Sequence, residues 1–146
     1  MSTRREWIQY LVGRVNDRKA RVELLTKKGA QVLAELRAVI QSDVDSLNQE
    51  LEEEIISVSA LDESSHRPRF EIRHGDDSRK IEVILSPDDE SLVCTLGRQS
   101  PMELKAKAFP KNGNIHFIEE NQHVPSNERL SQILIEWLVK TVYQIY

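Results

Sequence analysis

One cysteine, Cys94, stands in a chain of 146 residues, which excludes an intrachain disulfide framework and a multi-cysteine metal knuckle. Five glycines and five prolines are too few for a collagen-like or low-complexity chain. No apolar run approaches the roughly 18–20 residues of a membrane span. Nor does the apolar stretch of a secretory signal follow Met1-Ser2-Thr3-Arg4-Arg5-Glu6. The expected location is therefore cytoplasmic, with no transmembrane segment. A net charge of −4 argues against a dedicated nucleic-acid binder. The sequence also lacks G-x-x-x-x-G-K-S/T, G-x-G-x-x-G, H-E-x-x-H and G-x-S-x-G. Nucleotide binding and hydrolase chemistry through those motifs are thus unsupported. No cofactor is expected.

What is present begins with a helix. Residues 4 to about 58 contain no proline. Apolar side chains recur at Ile8, Leu11, Val15, Val22, Leu25, Val32, Leu36, Ile40, Val44, Leu47, Leu51, Ile55 and Val58, in steps of three and four that form one stripe. Ile8, Val15, Val22, Gly29 and Leu36 follow a seven-residue period, a pattern of helix–helix packing. One unbroken helix over this span would be ~80 Å long, against a diameter of roughly 40 Å for a compact domain of this size. Such a helix projects and finds a partner, or it breaks. Thr26-Lys27-Lys28-Gly29 and Gln41-Ser42-Asp43-Val44-Asp45 are the candidate break points. Against a break, the stripe keeps its phase across Gly29. A long helix and a helical hairpin both stay open.

From Arg67 the period becomes two. Phe70/Ile72, Ile81/Val83/Leu85, Leu92/Cys94/Leu96, Leu104/Ala106/Ala108 and Ile115/Phe117 alternate with polar neighbours. Turn chemistry separates them at Gly75-Asp76-Asp77-Ser78, Ser86-Pro87-Asp88-Asp89, Gln99-Ser100-Pro101 and Pro110-Lys111-Asn112-Gly113-Asn114. A last helix, N-capped by Ser126, carries Leu130, Ile133, Leu134, Trp137, Leu138, Val142 and Ile145 on one face. The expected fold class is α+β: a long N-terminal helix or helical hairpin, a five-stranded antiparallel meander, and a C-terminal helix packed on the sheet. One domain spans 1–146, with a helical arm over 4–58 and sheet plus helix over 67–146. Ile84, Val93, Phe109 and Ile118 interrupt the polar outer face, as a docking strip for the N-terminal helix or for another protein.

Charge divides the helical region. Residues 1–37 hold nine Lys/Arg against four acids, whereas residues 38–64 hold eight acids and no base. Antiparallel pairing, within a hairpin or with a second copy, would set opposite charges side by side. The leading expectation is a non-enzymatic interaction or oligomerisation domain. Its contacts would be Ile8, Leu11, Val15, Val22, Leu25, Val32 and Leu36, and its partner a protein or a second copy. One alternative is a small-ligand domain or small enzyme with a cavity between sheet and C-terminal helix, near His116, Glu120 and His123. These residues are also the candidate metal ligands, although their spacing matches no defined site. Another alternative is an anionic surface or nucleic acid bound through Arg4, Arg5, Arg14, Arg18, Lys19 and Arg21. Cys94 reads as a small core residue and Glu52-Glu53-Glu54 as a solvated face.

Overall fold

The apolar stripe of the first third forms a single helix. A computed structural model describes residues 4–62, 66–75 and 79–145. In it α1 (Arg4–Leu51) runs unbroken for 48 residues, about 72 Å. The hairpin alternative is thereby settled against. Gly29 does not turn the chain. It lies against Leu85, whose Cδ2 is 2.7 Å from where a Cβ would stand. The missing side chain lets helix and sheet approach closely.

The helix stops at Leu51, not near residue 58. Glu52 takes a left-handed φ of 58°, and the Glu53 N–H donates to the Asn48 carbonyl at 3.1 Å, a helix-ending wrap. The Asn48 side chain then clips the returning backbone. Its Nδ2 donates to the Ile56 carbonyl at 2.8 Å, and its Oδ1 accepts from the Ile56 N–H at 3.1 Å. That clip starts a strand the periodicity had assigned to the helix. The sheet therefore has six strands rather than five: β1 (Ile56–Asp62), β2 (Arg69–His74), β3 (Lys80–Ser86), β4 (Ser91–Leu96), β5 (Met102–Phe109) and β6 (Asn114–Ile118). They pair antiparallel in sequence order. The turn expected over Gly75-Asp76-Asp77-Ser78 lies, but for Gly75, outside the described residues.

Alternation gives the sheet one apolar face. Val58, Ile72, Ile81 and Leu96 make one cross-strand row, and Ala60, Phe70, Val83, Cys94 and Met102 the next. Both helices cover this face. α2 (Asn127–Tyr143) is capped by Ser126, whose hydroxyl accepts from the Arg129 N–H at 3.1 Å, and buries Leu130, Leu134 and Leu138. α1 buries Leu25, Leu33, Leu36, Ile40 and Val44. A hydrogen bond of 2.6 Å joins them, from the buried Ser131 hydroxyl on α2 to Asp43 Oδ2 on α1. The sixth strand explains the arrangement. Six strands spaced ~4.8 Å apart span about 24 Å, enough for two helices 8–10 Å apart (roughly) on one side. The outer face, where Ile84 and Val93 sit half-buried between Arg69 and Glu103, is not covered by α1.

Candidate interaction surface

α1 is longer than the face it covers, so its first part stands exposed beyond the body among the described residues. Its departure is marked by polar contacts at the β3–β4 turn. The Arg18 guanidinium donates to the Asp88 carbonyl at 2.7 Å, and Arg21 Nε meets Glu90 Oε1 at 2.6 Å. The Glu90 carboxylate, accepting that hydrogen bond, pushes the Arg21 guanidinium further up from its already high pKa. Residues 5–19 are exposed without exception. Among them Trp7 is 51% exposed, Leu11 49% and Val15 52%, with Ile8 and Val12 beside them. Together with Asn16 and Lys19 these line an open groove of about 360 Å³.

The phase of these side chains matters more than their number. Trp7 precedes Leu25, Leu11 precedes Gly29, and Val15 precedes Leu33 by 18 residues each, which is five turns at about 3.6 residues per turn. Leu25, Gly29 and Leu33 are buried against the chain's own body. The free end of α1 thus presents, in register, the face the rest of the helix buries.

The seven residues expected at an interface divide accordingly. Ile8, Leu11 and Val15 lie on the exposed arm. Leu25 and Leu36 are fully buried in the chain's own core, and Val32 packs at its edge. Val22 is half-buried at the boundary. Trp7 and Val12 were missed, although the five-turn spacing from Leu25 marks Trp7. Of the basic candidates, Arg18 and Arg21 are engaged by the β3–β4 turn and Arg14 lies 5.9 Å over the Tyr10 ring. Arg5 and Lys19 are exposed, and the Arg4 side chain lies outside the described residues.

His116, Glu120 and His123 are not brought together. His116 stacks edge-on against Phe109 at 5.3 Å on the outer face, while His123 Nδ1 lies 3.5 Å from Glu119. Among the described residues no group of three or more His, Cys, Asp or Glu side chains could hold a metal ion. Between sheet and α2, where a ligand cavity was considered, Leu130, Leu134 and Leu138 belong to one continuous core with Ile81, Leu96 and their neighbours. Cys94 lies in that core, where burial pushes its thiol up to about 12. The thiolate needed for nucleophilic work is therefore suppressed. Glu52, Glu53 and Glu54 line a groove with Asp45 and Asn48 at the far end of α1. Among the described residues no helix is long and apolar enough to cross a membrane. No protein-family model, curated protein or solved structure matches the chain.

Proposed function

We propose that this chain is a non-enzymatic interaction domain that associates through the free end of α1. The observation that carries this reading is the continuity of one apolar face across the edge of the body. Leu25, Gly29 and Leu33 are buried, and five turns earlier Trp7, Leu11 and Val15 stand half-exposed. Contiguous exposed apolar surface on a soluble protein marks a contact site more often than chance. Full burial of such a side chain is worth about 1.5–3 kcal/mol. These are already half-covered by their own helix, so covering the rest supplies roughly half of that each.

The test uses Leu11→Asp. In the purified chain the arm is either covered by association, which sedimentation reports, or free and adhesive, which an anilinonaphthalene dye reports. Leu11→Asp should abolish whichever signal is present and leave the body folded, with a cooperative urea transition at the midpoint of the dissociated wild-type chain. Leu25→Asp, by contrast, buries a charge in the core and should unfold the body. A chain that is monomeric, silent to the dye and indifferent to Leu11→Asp refutes the reading.

A further inference from the structure

Resting on that reading, the geometry points to a second copy of this chain as the arm's partner. We propose that two arms pack antiparallel about a two-fold axis close to Leu11 and Val12. Arg5 of each arm then meets the acidic β3–β4 turn of the other copy.

The step between arm and body limits what fits. Because Trp7, Leu11 and Val15 share a face with residues buried on the sheet, that face looks toward the side of α1 on which the body lies. Arm and sheet end form an L-shaped notch. A flat bilayer approaching the apolar face meets the body first. A helix, ~10 Å across, does not.

Length and charge then set direction. Residues 5 to 17 of α1 span about 20 Å. In an antiparallel overlap of that segment, Arg5 lies beside the base of the other arm, near Asp17. The base is also where the body begins, since Arg18 and Arg21 are tied there to Asp88 and Glu90. Asp88 and Asp89 are both exposed at that corner. The Asp88 carboxylate already faces His66 at 3.0 Å, leaving Asp89 as the clearer counterpart for Arg5. The two-fold axis repeats the pairing, so each arm tip is matched once. A parallel arrangement would instead set Arg5 against Arg5 and Arg14 against Arg14. Standard interfaces bury about 800 Å² per partner. Five half-exposed side chains supply part of that, and the turn that receives each arm tip extends the contact.

Light scattering on the full chain over about 1–100 µM, at low and high salt, tests the assignment. The expected mass is twice 16.9 kDa. Leu11→Asp should give monomer. Arg5→Glu and Asp89→Arg should each weaken the dimer at least tenfold, and the double variant Arg5→Glu/Asp89→Arg should restore it to within about threefold. A dimer lost in Leu11→Asp but indifferent to both charge reversals overturns the antiparallel placement. A monomer that binds the dye through the arm overturns the second copy in favour of another protein, with the arm still a docking surface. A monomer that binds phosphatidylserine vesicles overturns it in favour of a lipid surface. A monomer that does neither removes both this assignment and the reading beneath it, as does a dimer that survives Leu11→Asp.

Discussion

Gly29→Ala tests the close approach of α1 to β3. In an unconstrained helix interior, alanine is favoured over glycine by about 1 kcal/mol. At position 29 the added methyl would stand 2.7 Å from Leu85 Cδ2, 3.8 Å from Leu85 Cγ and 4.0 Å from Pro68 Cγ. Ordinary contact needs roughly 3.5–4.0 Å, so Leu85 must yield most of an ångström. It has little room, because it is fully buried and its strand is pinned between β2 and β4. Overpacking of this kind costs about 1–3 kcal/mol. The propensity gain offsets part of it, leaving a net loss of about 1 kcal/mol, or about 3 °C in Tm for a chain of this size. Urea unfolding followed by far-ultraviolet dichroism measures it. Leu85→Val separates the terms: with the leucine methyls drawn back, Gly29→Ala should cease to destabilise, giving a coupling of about 1 kcal/mol or more. Gly13, with nothing within 4 Å of its virtual Cβ, is the control, and Gly13→Ala should not destabilise. A stabilisation of about 1 kcal/mol by Gly29→Ala would mean that helix and sheet are not in contact there.

Two further outcomes follow from the core. Asp43→Ala should cost more than Ser131→Ala, about 1–3 against about 1 kcal/mol. The first strands a buried hydroxyl, while the second frees an exposed carboxylate to water; equal losses in urea melts would refute the asymmetry. Cys94 links stability to alkaline pH. Folded, its thiol keeps its proton up to about pH 12, against an ordinary value of 9.0; unfolded, it ionises near 9, so its contribution is present below pH 9 and is lost as pH rises toward 12. The stability gap between wild type and Cys94→Ala should therefore narrow from pH 8 to pH 10.5, and a constant gap would show the thiol to be solvated.

The sheet was legible because its buried face is uniform. Every second residue from Phe70 to Phe117 is apolar where the strands cross the core, and Pro, Gly, Asn and Asp mark the turns, so period and punctuation agree. Ser126 was legible as a cap for the same reason. The end of α1 was not. Ile55 and Val58 continue the helical spacing, and the stop is made by a glutamate in a left-handed conformation and by the Asn48 side chain reaching Ile56. No glycine or proline announces it. The missing strand concealed the width of the inner face, and with it the room for two helices. Of the two occupants expected for the outer strip of Ile84 and Val93, the N-terminal helix or another protein, the helix has space on the inner face instead. The small, buried Ala106 and Ala108 lie on β5, the strand that α1 passes over.

The candidate site shows why a stripe alone could not separate core from surface. Trp7, Leu11 and Val15 obey the same spacing as Leu25, Gly29 and Leu33; what differs is whether a sheet lies beneath them. Buried residues of α1 run from Leu25 to Val44, about 29 Å of helix, and they begin just past the point where Arg18 and Arg21 meet the β3–β4 turn. The partition is therefore set by where the sheet ends, not by the helix. Past the β3–β4 turn the fold no longer requires apolar side chains on α1, and polar residues at 7, 11 and 15 would leave the body's packing intact. Among the described residues no part of the body buries them, and under the proposed association their apolar character gains free energy when the partner covers them.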